Sequence, residues 1–381
     1  MNLSLPPEDA AVVAEGLAWL DGWLPPDYDE RFGEYRLDLE FRRAYQRAAF
    51  EAGWLMPAWE PELGGRRLAD EPELFVKLAF ARRGAPKLPN VQGPGVIAPA
   101  LLSFGTDAQK EHVLPVLRGD AWWCLGMSEP EAGSDLAALR TSATRTDEGY
   151  VIRGQKIWTS HARASSHCLL FARTDPESTR HRGLSAFVVP MDAAGIAIQP
   201  IAKIGVEDEE FCEVFLDDVV VGDDALLGPA GDGWRVAMES LSHERDMIWI
   251  MNLVEVERAL DLTTQALRDH PRPALAVELG ALEADARSIW LTGLRGLASR
   301  VAGRPDVETP LLKLQATEAA GRAFRLAARA LGSAGVLVGP TAPHGGEVPA
   351  GEIESLSASL YGGTSEIQRN LIGERLLGLP R

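Results

Sequence analysis

The segment YVIRGQKIWTS, residues Tyr150–Ser160, decides the fold class, because apolar and polar residues alternate along it with the period of a β-strand. Four further runs between Trp122 and Gly233 have the same period and are separated by Gly, Pro and Asp: SHCLLFART, LSAFVVPM, GIAIQPI and CEVFLDDVVV. No segment of helix length interrupts these strands, so a βαβ nucleotide-binding fold is disfavoured. The pattern predicts a small antiparallel β-barrel or sandwich in the middle of the chain.

On both sides of these strands apolar residues recur every three or four positions, which is the period of an α-helix. The runs before the strands are AVVAEGLAWL, LEFRRAYQRAAFEAGW and EPELFVKLAFARR, and three long runs follow from Trp234 onward. The order predicts an α+β protein with three domains: an N-terminal helical domain (1–120), a central β domain (121–232) and a C-terminal helical domain (233–381).

Composition excludes several function classes. The chain has 381 residues, which is long for a single core. Hydrophobic residues at 46% and charged residues at 24% are typical of a globular protein. The formal net charge of -17 argues against nucleic acid as a partner, because a phosphate backbone requires a basic surface.

The cysteines and the N-terminus indicate the compartment. Cys124, Cys168 and Cys212 are odd in number and form no CxxC pair, which argues against a disulfide framework and against a zinc or other metal site. The start of the chain has no basic segment before an apolar run, and no apolar stretch has the length of a membrane span. We expect a cytoplasmic protein without a membrane span.

The segment GMSEPEAGSDLAA, Gly126–Ala138, follows a strand-like run and opens a polar loop. Ser128 and Ser134 offer hydroxyls, and the loop offers backbone N–H groups that suit an anion or the polar edge of a flat ligand. Taken alone, the segment is explained at least as well by a capped turn that binds no ligand.

Two later segments combine glycine, hydroxyl and aromatic residues. In GQKIWTSHA, Trp158 precedes two hydroxyl residues, so its ring could stack on an aromatic cofactor while a hydroxyl reaches a ring nitrogen. A Trp packed in the core is the alternative. In YGGTSEIQRN, residues Tyr361–Asn370, two glycines precede a helix start, where backbone amides bind anions. A plain helix cap is the alternative there.

Together, in this order, the three segments resemble the acyl-CoA dehydrogenase family over nearly the whole chain. PAWEPELGG, LSFGTDAQKEHVLPVLRGD and the ending ERLLGLPR add to the resemblance. The resemblance implies a central β domain between N-terminal helices and a C-terminal four-helix bundle, with FAD held between the β domain and the bundle. It also implies a reaction, in which a carboxylate removes the α-proton of an acyl-CoA thioester and the β-hydrogen passes as hydride to FAD. The product is a trans-2-enoyl-CoA, and the electrons pass on to an electron-transfer flavoprotein.

The resemblance also implies roles for individual residues. Trp158 flanks the flavin ring and Ser160 is the hydroxyl partner of its N5, whereas Ser134 lies towards the FAD or CoA phosphates. Arg245 contacts the acyl-CoA. The remaining residues implied at the cofactor are Leu125, Gly126, Met127, Ser128, Thr159, Thr364 and Glu366, and those at the substrate are Gly362 and Gly363.

The catalytic base departs from the commonest family pattern. The usual Glu before Gly-Thr-Ser is Gly362, which has no side chain, although its N–H can still polarise the thioester carbonyl. Isovaleryl- and long-chain-type members instead use the helical residue before the substrate Arg, which here is Glu244. Helical periodicity places Glu244 on an apolar stripe that consists of Ala237, Leu241, Met247, Ile248 and Met251. Apolar surroundings raise the pKa of a carboxyl towards the value that a general base needs. An ion pair with Arg245 or with a neighbouring helix is the alternative for this carboxylate.

The segments that hold the ADP half of FAD also depart from the family. Where members carry Arg-x-x-Phe-Gly and Gln-x-x-Gly-Gly-x-Gly, this chain reads LRDHPRPALAVELG and RALGSAGVLVG, and neither Arg268 nor Arg272 can be assigned. A homodimer or homotetramer is expected from the family. The alternatives are a subunit of a heteromeric dehydrogenase, whose partner completes the FAD site, and a flavin monooxygenase or oxidase on the same fold. A helical base favours a branched or bulky acyl group, which the sequence does not otherwise define.

Overall fold

A computed structural model of the chain describes residues 5–178, 180–204, 210–304, 307–339 and 342–380; for residues 241–247 it describes the helix but not the side chains. The N-terminal part consists of helices around an aromatic core that includes Tyr28, Tyr45, Trp54 and Phe80. The helices are α1 (Pro7–Trp23), α2 (Phe32–Leu37), α3 (Leu39–Glu51), α4 (Asp70–Arg83), α5 (Ala98–Phe104), α6 (Asp107–Lys110) and α7 (Val113–Arg118), with a π-helical turn at Gly93–Ile97.

The middle of the chain forms an eight-stranded sheet in the order β6-β7-β3-β2-β4-β5-β8, with β1 paired to β4 off this path. The strands are β1 (Trp123–Gly126), β2 (Ser142–Thr146), β3 (Gly149–Ser160), β4 (His167–Arg173), β5 (Leu184–Pro190), β6 (Ile196–Ile201), β7 (Phe211–Val221) and β8 (Leu226–Leu227). The predicted fold class is confirmed. The pairings of β4 with β1 and with β2 are parallel, whereas the sequence pattern predicts antiparallel strands.

Long helices return after the sheet. They are α8 (Gly233–Asp269), α9 (Ala276–Val301), α10 (Thr309–Leu331) and α11 (Glu347–Ala358), followed by the short α12 (Ser365–Leu371) and a π-helical turn at Ile372–Leu376. Their shared core also takes in Leu74 and Leu78 of α4. In the part of the chain that the structure describes, no helix is long and apolar enough to cross a membrane. The domain boundaries at 120/121 and 232/233 stay a prediction.

Helix α8 connects the three parts of the molecule. Its first turns, at Val236 and Ala237, pack into a core shared with α5, α7, β1 and β5. Further along, Ile250 and Leu253 join the core of the C-terminal helices. The same helix therefore runs from the edge of the sheet into the bundle, and it positions the candidate site described below.

Candidate active site

The first two polar segments lie side by side. Strand β1 ends at Gly126, and the backbone N–H of Ile157 in β3 donates a hydrogen bond of 3.0 Å to the carbonyl oxygen of Ser128. Leu125 and Met127 are half-buried against the core that α8 shares with the sheet. Ser128 is half-buried and Ser134 is exposed. The predicted cofactor residues of the first segment are thus joined to the second segment through the backbone.

A β-bulge presents Trp158 at the surface. The register between β3 and β7 shifts between Lys156 and Thr159, and Trp158 has a φ of 60° in the left-handed region. That conformation is strained for a non-glycine residue and persists only where the surrounding structure imposes it. The Trp158 side chain is 56% exposed and meets Phe211 edge-on, with ring centroids 6.2 Å apart. The bulge therefore offers a large aromatic face to a ligand.

The two hydroxyl residues after Trp158 are buried. Ser160 is 4% exposed, and Thr159 is fully buried and lines the interior of the sheet with Lys156 and Gly126. The Thr159 hydroxyl has no hydrogen-bond partner among the described residues. The Thr159 side chain therefore faces the interior of the sheet, and its role at the flavin stays a prediction.

Two consecutive glycines shape the third segment. Gly362 and Gly363 have φ values of 62° and 94°, which favour glycine over any residue with a side chain. Gln368, which is fully buried, donates from Nε2 to both glycine carbonyls, at 3.2 Å each. Thr364 caps α12, because its hydroxyl accepts from the N–H of Ile367 at 3.3 Å. Thr364 therefore has a structural role in addition to the cofactor role that the sequence predicts.

Gly362 packs between two helices of the bundle. A Cβ placed on it would lie 2.7 Å from Cδ1 of Ile248 in α8 and 4.0 Å from Cε of Lys313 in α10. Lys313 is fully buried. Glu366 is exposed, and its pKa is held below the usual value by a hydrogen bond from its own backbone N–H, by the Thr364 hydroxyl and, more weakly, by the charges of Arg369 and Lys313. A buried cation thus lies beside the loop.

Lys313 and Gln368 are residues that sequence reasoning missed. A signal was present for Lys313, which shares the apolar stripe of α10 with Ala316, Thr317 and Ala320. A lysine in such a stripe is uncommon and is more often found where it has a specific partner. Gln368 gave no signal, since its hydrogen bonds depend on the loop conformation.

The helical turn that carries Glu244 and Arg245 lies between the sheet segments and the glycine loop. Trp234 and Met238, at the start of α8, pack on the same core as Leu125 and Met127. Ile248, one turn after Glu244, contacts the position of Gly362. The side chains of Glu244 and Arg245 lie outside the described residues, so their roles stay predictions.

The apolar stripe predicted around Glu244 is described in part. Ala237 is 1% exposed and Ile248 is 7% exposed, whereas Met251 is 39% exposed. Leu241 and Met247 lie among the side chains that are not described. The stripe is therefore buried on both sides of the Glu244 turn and opens one turn beyond Ile248.

The two segments expected at the ADP half of FAD lie next to each other. A Cβ on Gly332 would lie 2.7 Å from Nη2 of Arg272. Arg268 and Arg272 are both exposed, and the residues that follow Gly332 include exposed Val336, Leu337 and Val338. This side of the bundle offers a cation and an apolar surface, but no enclosed site in the described residues.

These features fit the flavin half of FAD. Trp158 supplies an exposed aromatic face held in a strained conformation, and the paired glycines leave the backbone of the third segment open to close approach. The ADP half would have Arg272 and a surface that a second chain could cover. The residues present thus suit a flavin cofactor whose ring is held within this chain.

Comparison with known proteins identifies the class and then the family. Three family models match: acyl-CoA dehydrogenase N-terminal domain at residues 23–120, middle domain at 124–219 and C-terminal domain at 231–377. Acyl-CoA dehydrogenase IpdE1 of Mycobacterium tuberculosis is 36% identical over 97% of this chain and 98% of its own. These matches define the class first: the chain is an oxidoreductase that binds FAD. The chain belongs to the acyl-CoA dehydrogenase family.

Solved structures with the same fold include two complexes. A structure titled Tcur3481-Tcur3483 steroid ACAD has a TM-score of 0.87 and 28% identity, with all of both chains covered. The ChsE4-ChsE5 complex from Mycobacterium tuberculosis has a TM-score of 0.85 and 29% identity, again with all of both chains covered. The family, the enzyme class and FAD as cofactor, which the sequence predicts, are confirmed.

Proposed function

We propose that this chain oxidises the Cα–Cβ bond of an acyl-CoA thioester to a trans-2-enoyl-CoA and passes the electrons to an electron-transfer flavoprotein. The observation that carries the proposal is the packing of Gly362 against Ile248, one turn from Glu244. A thioester at the glycine loop would then lie beside the helical turn that carries the proposed base. The resemblance to family members that take their base from this helix supports the arrangement.

Residues of this chain divide the chemistry between them. Glu244 takes the α-proton, and the backbone N–H of Gly362 polarises the thioester carbonyl, which stabilises the negative charge that develops on its oxygen. Arg245 holds the acyl-CoA, with Gly363 and Ser134 at the substrate path. When bound, FAD supplies the acceptor for the β-hydrogen.

The exposed aromatic face of Trp158 supports the proposed flavin position. Trp158 would stack beside the ring, and Ser128 and Ser160 would supply polar contacts to its edge. The backbones of Leu125, Gly126 and Met127 line the ring on the sheet side, and Thr364 and Glu366 approach from the C-terminal loop. The buried Thr159 contributes through its backbone, since its side chain faces the interior of the sheet.

A bulky acyl group is the proposed substrate. A helical base in place of the loop carboxylate favours a branched or bulky acyl group in the family that the chain resembles. One structural relative is described as a steroid ACAD. Both observations favour a branched or ring-containing acyl chain over a short linear one.

A panel of acyl-CoA thioesters tests the reaction and the substrate class together. Each thioester is mixed anaerobically with the FAD-loaded protein, and bleaching of the flavin absorbance is recorded before the products are identified. Enoyl-CoA formation, fastest with bulky acyl groups, supports the proposal. Release of peroxide in air without enoyl product would overturn it in favour of an oxidase on the same fold.

A second candidate is a subunit of a heteromeric dehydrogenase. It is favoured by the open position of Arg272 beside Gly332 and by the exposed apolar residues that follow. Two structural relatives are complexes of two differently named chains. In this arrangement the partner chain completes the ADP half of the FAD site, while Glu244 remains the base.

A further inference from the structure

A buried ion pair lies directly behind the two sheet segments of the site. Lys156 in β3 is fully buried, and its ammonium group lies 2.7 Å from Oε1 of Glu129, which is 7% exposed. Lys156 Nζ also donates to the carbonyl oxygen of Met127 at 3.2 Å. One cation thus holds two residues that flank Ser128.

The Glu129 carboxylate binds the far end of the same loop. Its Oε1 accepts from the N–H of Thr141 at 2.9 Å, and its Oε2 accepts from the N–H of Arg140 at 2.6 Å. Most of the residues between Glu129 and Arg140, including Ser134, are exposed. The pair therefore closes the loop at its base and fastens it to β3.

Stability alone does not account for such a pair. Removing two charges from water costs several kcal/mol per ion, and well-packed apolar residues of similar volume are often as stable or more stable. Burial alone would raise the pKa of Glu129, but the Lys156 charge and the hydrogen bonds to the carboxylate hold it below the usual value. A buried pair of this kind is best explained by the arrangement that it imposes.

The arrangement concerns the flavin. Lys156 is the last regular residue of β3 before the bulge that presents Trp158, and Glu129 directly follows Ser128. We propose that Lys156 and Glu129 are positioning residues, which fix Ser128 and Trp158 relative to each other so that both meet the flavin ring. This inference rests on the proposed function in assigning the ring to these two residues.

Binding of FAD to variants tests the pair. Lys156→Met keeps the side-chain volume but removes the cation, and Glu129→Gln replaces one acceptor oxygen by a donor that faces the N–H of Arg140. Each variant should bind FAD about tenfold more weakly or worse, because losing one well-placed polar contact weakens binding by about this factor. The visible absorbance spectrum of the bound flavin should change as well, and so should the quenching of flavin fluorescence by Trp158.

The double variant Lys156→Met, Glu129→Gln covers the case in which a single variant fails to fold, because it leaves no unpaired buried charge. The double variant should fold, but it should bind FAD more weakly than the wild type and show an altered flavin spectrum. Arg258→Met is the matched control, since it breaks the bonds of Arg258 to Glu347 (2.9 Å from Nη2), which link α8 to α11. This control should lose thermal stability while keeping wild-type FAD affinity and flavin spectrum.

The outcomes separate this inference from the proposed reaction. Folded Lys156→Met or double-variant protein with wild-type FAD affinity and spectrum would show that the pair is only structural. A wild-type protein that binds FAD but oxidises no acyl-CoA would contradict the reaction, and the FAD measurements would still decide the role of the pair. A wild-type protein that binds no FAD under any condition would overturn both.

Discussion

Position 244 carries the proton transfer in the proposed mechanism, because Gly362 has no side chain to do so. Glu244→Gln keeps the shape of the residue and removes its basicity. We expect the variant to bind FAD and acyl-CoA normally and to lose turnover by about 10²–10⁴-fold or more, the usual contribution of a general base. Anaerobic single-turnover reduction of the flavin measures this directly.

Glu255→Gln is a suitable control for that experiment, since Glu255 is a half-buried glutamate further along the same helix. It should react at the wild-type rate. Wild-type turnover in Glu244→Gln would show that a different group is the base.

Moving the carboxylate to the loop tests whether the two positions face one α-carbon. Gly362→Glu in the Glu244→Gln background should restore part of the activity. The structure limits the gain, since the φ of 62° costs a side-chain residue about 1–2 kcal/mol and the new Cβ would lie 2.7 Å from Cδ1 of Ile248. Ile248→Val removes that methyl group.

The triple variant with Ile248→Val should therefore be more active than the double variant, as measured by enoyl-CoA formation. Equal activity of the two would mean that Ile248 does not limit the placement of the new carboxylate. No activity in either, with FAD bound, would contradict the convergence of positions 244 and 362.

Sequence reasoning predicted the site segments but not all of the side-chain directions within them. Period-two alternation would make Trp158 and Ser160 share a face, and the bulge breaks this relation, so that Trp158 is exposed while Ser160 is buried. A bulge arises from pairing with β7, which no local pattern records. The same reason explains why no local pattern indicates that the Thr159 side chain faces the interior of the sheet.

At the scale of elements, the glycine loop depends on α12 for its shape. Gln368 binds the carbonyl oxygens of Gly362 and Gly363, and these bonds fix the direction of the peptide groups on either side of Gly363, directly after the N–H of Gly362. Gln368→Leu fills the same buried space with an apolar side chain but removes both hydrogen bonds. We expect kcat/KM to fall by about tenfold, since a catalytic N–H is displaced, while FAD content stays unchanged.

Steady-state kinetics with a good acyl-CoA substrate checks the Gln368 prediction. Asn370→Ala, an exposed position on the same helix, serves as the control and should leave kcat/KM unchanged. Unaltered kcat/KM in Gln368→Leu would mean that the loop keeps its conformation without these bonds.

The start of β4 should make folding stability depend on pH. The ring of His167 stacks on Trp123, with ring centroids 4.8 Å apart. Burial lowers the pKa of His167, and the charge of His112 lowers it further, whereas Asp192 opposes the shift. The unfolded chain therefore binds this proton more readily than the folded one. The stability contribution is present above the unfolded pKa of about 6.5 and is lost as the pH falls below it.

Thermal unfolding midpoints across that pH range test the His167 prediction. His167→Gln should flatten the acid limb of the profile, because it removes the titrating group. An unchanged acid limb in the variant would assign the pH dependence to other residues.

The elements were predictable to different degrees for a physical reason. The segments that alternate cleanly, such as YVIRGQKIWTS, correspond to observed strands, and the helical runs correspond to α1, α3, α4, α8, α9 and α10. Strand β2 was missed because only Ala143 is buried in it, so no alternation reveals it. The parallel pairings of β4 depend on the path of the whole chain, which local periodicity does not contain.

At the scale of the whole molecule, one side of the C-terminal helices is unusually apolar. Val336, Leu337 and Val338 are 71%, 50% and 68% exposed, and Leu356 and Leu360 of the same region are 59% and 64% exposed. Apolar surfaces of this kind on a folded chain commonly mark an interface with another chain. The surface begins beside Gly332 and Arg272, where the ADP half of FAD is expected.

We therefore expect the protein to be at least a dimer, through a self-association or a homologous partner chain that covers this surface. A closed two-fold arrangement would bury the same surface on both chains. Leu337→Asp places a charge in the interface, so it should produce monomers and lower FAD occupancy together. Light scattering combined with FAD released on denaturation measures both quantities.

Val220→Asp is the control, since Val220 is 55% exposed on the sheet, apart from the bundle. It should change neither the oligomeric state nor the FAD content. If the wild-type chain binds FAD only when co-expressed with a homologous chain, the heteromeric alternative holds, and Leu337→Asp should then abolish co-purification. A wild-type monomer with a full complement of FAD would contradict both forms of the prediction, because the ADP half would then have to be held by this chain alone.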